Sequence, residues 1–67
     1  MNLTMARLAE SLQKSFSAFQ GAGVIMFLDS GDTRGLAELT ISQKNALLVL
    51  VQINDRDTLR EYFKGGL

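Results

Sequence analysis

The chain contains no cysteine, histidine, tryptophan or proline. Without cysteine there are no disulfide staples, and without histidine as well there is no Cys/His zinc site. No imidazole or thiolate is available for acid–base or nucleophilic chemistry. An excess of one charge is missing too: seven Lys and Arg stand against seven Asp and Glu, so the formal net charge is zero. That excludes a strong electrostatic footprint for nucleic acid. Long apolar runs are also absent. The longest, Ala46 to Val51 and Val24 to Leu28, fall far short of the roughly 20 residues of a membrane helix. Met1 to Met5 has no basic segment followed by an apolar block, so it does not read as a signal peptide. The expectation is a soluble, cytoplasmic protein, although missing cysteine is compatible with any compartment.

What remains is 67 residues, of which 46% are hydrophobic. This is too apolar for a disordered tail and fits a single small domain spanning 1–67. It lies below the roughly 70–80 residues at which one core is comfortably self-sufficient.

Residues 3–20 are predicted as one long amphipathic helix. Met5, Leu8, Leu12, Ser15 and Phe19 recur at three- and four-residue steps, and Ala9 and Phe16 widen the stripe. Glu10 precedes Lys14 by four residues, the favourable order for a helical ion pair. Gly21 is placed to stop the helix, and Gly21-Ala22-Gly23 reads as a breaker. Val24 to Leu28, apolar and beginning β-branched, is predicted as a short buried strand. Asp29 to Gly35 has turn composition. Leu36 to Ile41 alternates, which would complete a hairpin with 24–28 but also fits a short helix after Asp32.

Thr40-Ile41-Ser42-Gln43 matches a capping box, so a helix is predicted from Ile41 to Ile53. The β-branched Val49, Val51 and Ile53 support a competing strand at 46–53. That version would make the chain α+β, with strands at 24–28 and 46–53. Asp55 or Asp57 can cap a last helix over Thr58 to Lys64, with Leu59, Tyr62 and Phe63 on one side. The favoured fold is mainly α: a long N-terminal helix, a short apolar strand or hairpin, and two C-terminal helices.

The segment Ala46 to Val51 has no polar face and must be covered on every side. The rest of the chain offers little cover, and the stripe on the first helix has near-heptad spacing. The expectation is a homodimer, or a chain that binds another protein, with Met5, Leu8, Leu12, Phe16 and Phe19 as the interface; the alternative is a tightly packed monomer. Phe16 and Phe19 would anchor the interface if exposed, and otherwise belong to the core.

Several constellations could carry chemistry. Phe27-Leu28-Asp29-Ser30-Gly31 resembles the aspartic-protease signature, in which one Asp shares a proton with its symmetry mate. Here Asp32 follows, and an ordinary Asp-Ser-Gly-Asp turn is the stronger reading. Asp29, Asp32 and Thr33 miss the spacing of phosphotransfer aspartates by one residue. An EF-hand loop would need a Glu where Thr40 stands, and no P-loop Gly-Lys-Ser/Thr occurs. Arg56, Arg60 and Lys64 align at four-residue steps, but Asp55, Asp57 and Glu61 are interleaved, so a solvated helix face is favoured over a phosphate-contacting edge. No catalytic, cofactor-binding or metal-ligating residue is assigned.

Leu39-Thr40-Ile41-Ser42-Gln43-Lys44-Asn45-Ala46-Leu47-Leu48-Val49-Leu50 resembles the second helix of MarR-type winged-helix regulators, where a Leu-Thr-x-x-Gln cap opens a buried helix. Ala6 to Leu12 is similar to that family's dimerising first helix, and Thr58 to Phe63 to the short helix that follows. The resemblance implies the dimer-forming half of such a regulator. The recognition helix and basic wing have no counterpart in this sequence, so none of the family's DNA contacts transfers. The functional expectation is therefore a small, non-enzymatic protein-binding or regulatory protein without a cofactor. It would act through apolar helix faces, with itself and another protein as partners and no membrane. The alternative is a reduced winged-helix-like DNA-associated regulator. A phage or mobile-element origin is compatible with either.

Overall fold

A computed structural model describes residues 1–65 of the chain. Among the described residues the elements are α1 (Leu3–Ser15), α2 (Ala18–Ser30), a 3₁₀ turn (Arg34–Glu38), α3 (Ile41–Ile53) and α4 (Arg56–Gly65). The molecule measures 28 × 22 × 21 Å. A 13-residue helix is about 20 Å long, so α1, α2 and α3 each run nearly its full width.

The mainly helical expectation holds, with α3 starting and ending where its cap and length place it. The strand and hairpin do not. Residues 24–28 lie inside α2, and 46–53 inside α3, so the α+β alternative fails as well. The physical reason begins at Ser17. Phe16 and Ser17 are both extended, with ψ of 139° and 167°, which breaks the predicted 3–20 helix. Ser17 then opens a new helix with its own capping box: its Oγ accepts from the Gln20 amide at 3.1 Å, and Gln20 Oε1 accepts from the Ser17 amide at 2.9 Å. Once nucleated, the helix runs through Gly21-Ala22-Gly23 and stops at Gly31, whose φ of 78° is left-handed.

Gly23 has a packing reason to be glycine. A Cβ there would lie 2.9 Å from the Gly35 carbonyl oxygen, so the 3₁₀ turn sits directly on the α2 backbone. The 36–41 stretch is accordingly split between that turn, an extended Leu39-Thr40 and the start of α3. The last helix begins a little earlier than expected because Asp55 caps it, its Oδ1 accepting from the Thr58 amide at 2.6 Å.

α1 packs on α3, while α2 packs on the 3₁₀ turn and on α4, which also touches α3. The core joins Ala9 and Leu12 of α1, Val24 and Leu28 of α2, Leu39, Leu47 and Leu50 of the α3 region, and Leu59 and Phe63 of α4. Tyr62 donates its hydroxyl to the Ala6 carbonyl at 3.0 Å, and Gln13 Nε2 donates to the Phe63 carbonyl at 3.1 Å, fastening α1 to α4.

One polar side chain, Gln43, is buried among these elements. Its Oε1 accepts from the Thr40 amide at 2.9 Å and from Gln20 Nε2 at 3.0 Å. Its Nε2 donates to the Ser15 carbonyl at 3.2 Å, to Ser15 Oγ at 3.1 Å and to Gln20 Oε1 at 3.3 Å. Gln20 Nε2 also donates to the Glu38 carbonyl at 3.0 Å. A carbonyl can only accept and a backbone amide can only donate, so both glutamine amides have their orientation fixed. The end of α1, the starts of α2 and α3, and the end of the 3₁₀ turn therefore meet in one network.

Gln43→Leu would leave Ser15, Gln20 and the Thr40 amide without their part-buried partner, at or below the roughly 1–3 kcal/mol that a buried unsatisfied group costs. In a denaturation double-mutant cycle with Gln20→Leu, the second change should cost clearly less than it does alone; simple additivity would remove the coupling. The two α2 glycines should respond oppositely. Gly21→Ala has only Phe16 Cβ at 4.0 Å to meet and should stabilise by about 0.4–1 kcal/mol. Gly23→Ala should destabilise, overpacking costs of about 1–3 kcal/mol outweighing the propensity gain. Equal shifts in melting temperature would contradict the backbone contact.

Candidate functional site

The predicted interface residues do not share one helix. Leu12 is only 4% exposed, inside the core, and Met5, Leu8 and Phe16 pack partly buried against it. Their stripe is spent within the chain, since α1 packs on α3 and the Phe16 ring lies 6.3 Å from that of Phe63. Phe19 is different. The break at Phe16-Ser17 carries it onto α2, where it is 70% exposed.

Phe19 belongs to an apolar face that also includes Ala22 and Met26, at helical steps of three and four residues. Phe19, Ala22 and Met26, with Gly23 and Gly35, line a cavity of about 190 Å³ that opens on the surface. α2 carries no Lys, Arg, Asp or Glu before Asp29. A second uncovered face lies on α3, where Ile41, Leu48, Val49 and Ile53 are exposed while Leu47 and Leu50 point into the core. Lys44 is the one charged residue of α3. The α3 face had a signal in the sequence, the lack of any polar side between Ala46 and Val51. The α2 face had none while 24–28 read as a strand.

The loop with the protease-like motif forms a helix end and a cation-held turn. Asp29 Oδ1 lies 3.0 Å from Lys64 Nζ and 3.8 Å from Arg60 Nε. Ser30 donates its hydroxyl to the Met26 carbonyl at 2.9 Å, and Gly31 supplies the left-handed cap. Asp32 grips Arg34, with Oδ2 2.7 Å from a guanidinium nitrogen. The hydrogen bonds from the Arg34 side chain and then its backbone amide lower the Asp32 carboxyl to about 2. Each carboxylate of the loop is thus paired with a cation. Among the described residues no cluster of three or more acidic side chains could hold a metal ion.

The basic row on α4 is engaged with the same region. Arg60 also pairs with Asp57 at 3.0 Å, and the Arg56 guanidinium lies against Gly31. α2 has no basic residue in its own last turn, so Arg56, Arg60 and Lys64 bring positive charge to the negative end of its dipole. Asp55 is shifted downward as well, chiefly by the hydrogen bond from the Thr58 amide.

A second cavity of about 190 Å³ is bordered by Gln13, Phe16, Val24, Ile25 and Phe63. Gln13 Oε1 is buried without a hydrogen-bond partner among the described residues. No protein family, no curated protein and no solved structure matches the chain. The likeness of residues 6–12, 39–50 and 58–63 to MarR-type regulators therefore rests on those residues alone.

Carboxyl-detected NMR titration should place Asp32 near pH 2, rising in Arg34→Ala but staying below the ordinary carboxylate range, because the backbone amide of residue 34 still donates to it. Because its folded value is depressed, whatever stability Asp32 lends is present above the unfolded value of about 3.9. It is lost as pH falls from there through about 2. A parent midpoint near the ordinary value would contradict the Arg34 clasp.

Proposed function

We propose that this chain is a small, non-enzymatic association protein. It would act through apolar helix faces, pairing with itself and regulating another protein by binding it. The observation that carries the reading is that α2 keeps an uncharged apolar face uncovered after the core is complete, and that α3 leaves Leu48, Val49 and Ile53 exposed beside Lys44. Scattered exposed apolar residues are normal on any surface. Phe19 and Met26, seven residues apart, share one face of α2, and Val49 and Ile53, four apart, share one of α3; exposed apolar side chains that cluster in this way suit a contact surface.

The loop and the basic row support the same reading by what occupies them. Asp29 and Asp32 are engaged by cations, and Arg60 and Lys64 by carboxylates. Their charge goes into holding α2, α4 and the turn. A cytoplasmic setting without a cofactor fits this role.

Light scattering across a concentration series from micromolar to millimolar tests the reading. The mass is expected to rise from 7.4 kDa toward twice that value. A mass fixed at the monomer value throughout would overturn self-association as the mode of action.

A further inference from the structure

We propose that the Phe16-Ser17 elbow straightens and that two copies of this chain exchange α1, each α1 docking on the other copy's α3 and α4. The proposal rests on the association reading above and names the occupant and the route.

The first argument is register. Met5, Leu8, Leu12, Ser15, Phe19, Ala22 and Met26 follow alternating steps of three and four residues without a break, the heptad spacing of a continuous helical seam. In the α1 part of this row, Leu12 belongs to the core, and Met5 and Leu8 pack against it. In the α2 part, Phe19 and Met26 are exposed. On one continuous helix both parts lie along one side, so the surface that receives α1 also faces Phe19 and Met26.

The elbow itself asks little. Phe16 and Ser17 have φ of −77° and −69°, already close to the helical value of about −63°. Only their two ψ angles, 139° and 167°, must turn, and neither residue is proline. The bend is held by the Ser17–Gln20 capping box and by the Gln43 bond to the Ser15 carbonyl. Straightening pairs the last carbonyls of α1 with the first amides of α2. The inside of the elbow is also loosely filled, with a cavity of about 190 Å³ bordered by Gln13 and Phe16 on one side and Gly21 and Val24 on the other.

Length and direction select the occupant. A continuous helix over residues 3–30 is about 42 Å long. The longest extent of the folded chain is 28 Å, so α1 would project beyond its own core. Its stripe would also point aside. At about 100° per residue, Leu12 lies roughly 120° round the helix from Val24 and roughly 160° from Leu28, the two residues that bind α2 into the core. The surface that fits the stripe is the one α1 covers now on α3 and α4, down to the bonds from Tyr62 to the Ala6 carbonyl and from Gln13 to the Phe63 carbonyl. A second copy vacates that surface in the same way, so the exchange is reciprocal and closes as a dimer. The area buried is that of α1's own docking, not of the α2 face alone. The 3₁₀ turn keeps its place on Gly23. The Gln20–Gln43 pair, which joins α2 to α3 within one chain, is retained.

Proline separates the two forms. Ala18 is the first residue of α2, a position that suits proline, and Ser17 before it is already extended, as a residue preceding proline prefers. In a continuous helix the same proline would lose an amide bond and clash with the Lys14 carbonyl. Ser17→Ala acts the other way, since the bent form loses its cap and the straight form does not. A Gly-Gly insertion after Phe16, which also weakens the continuous helix, gives a second block. Each form is held from micromolar to millimolar concentration until its mass by light scattering is constant, with circular dichroism confirming that it folds. Expected are a dimer from the parent, a dimerisation constant raised about tenfold or more by Ser17→Ala, and a mass fixed at 7.4 kDa for Ala18→Pro and the insertion. If both blocked forms dimerise as the parent does, the exchange is wrong and association stands through another face. If the parent and Ser17→Ala both stay monomeric, the exchange and the self-association reading fall together.

Discussion

The reciprocal amide bonds between Gln20 and Gln43 join two capping boxes that would otherwise be separate local motifs. Each glutamine first serves its own helix start, accepting from the backbone amide of the cap residue. Each then spends its remaining hydrogen-bonding capacity on the other and on a carbonyl at the end of a neighbouring element, Ser15 for Gln43 and Glu38 for Gln20. The α1–α3 pair and the α2–α4 pair are thereby set against each other at one end. A satisfied polar network in a half-buried position specifies one arrangement, because any slip leaves several groups unpaired at once. The apolar core supplies the driving force, and the glutamines select the geometry in which it is buried.

That division explains what could be read from the residues. Thr40-Ile41-Ser42-Gln43 announces its helix because the box precedes a long apolar run, and α3 follows as expected. Ser17-Ala18-Phe19-Gln20 is the same kind of signal, but it is hidden inside a periodic stripe. Phe16 and Phe19 extend the spacing of Met5, Leu8 and Leu12 so smoothly that the chain break leaves no mark on the hydrophobic pattern. Gly21-Ala22-Gly23 then looks like punctuation. Its small residues serve tertiary packing instead, since Gly23 admits the backbone of Gly35, a partner twelve positions away whose approach no local pattern reveals. With the helix start concealed and the glycines misread, Val24 to Leu28 looks like a strand. The candidate interface shifts for the same reason: four of its five residues face the molecule's own core, and Phe19 turns outward on α2.

The demand for shelter read at Ala46 to Val51 is half met within the chain. Leu47 and Leu50 are sealed by α1 and α4, while Leu48, Val49 and Ile53 remain uncovered. α2 repeats the arrangement, with Val24 and Leu28 inside and Phe19 and Met26 outside. Polar chemistry runs the other way. The acidic and basic side chains near the end of α2 neutralise one another, and the turn from Asp29 to Arg34 is a structural clasp. The surface that stays unspent on α2 is apolar and uncharged, and the proposed contact role rests on it.

The chain locks itself through Gln20 and Gln43 and leaves Phe19 and Met26 of α2 exposed, and the proposed association role needs both. Proton–nitrogen correlation spectra of the unmodified chain at rising concentration test both halves at once. The expected result is progressive movement of the Phe19 to Met26 backbone signals, with the Gln20 and Gln43 side-chain amides unmoved. Signals that never move with concentration, or that move at the glutamine amides while α2 stays still, would contradict it.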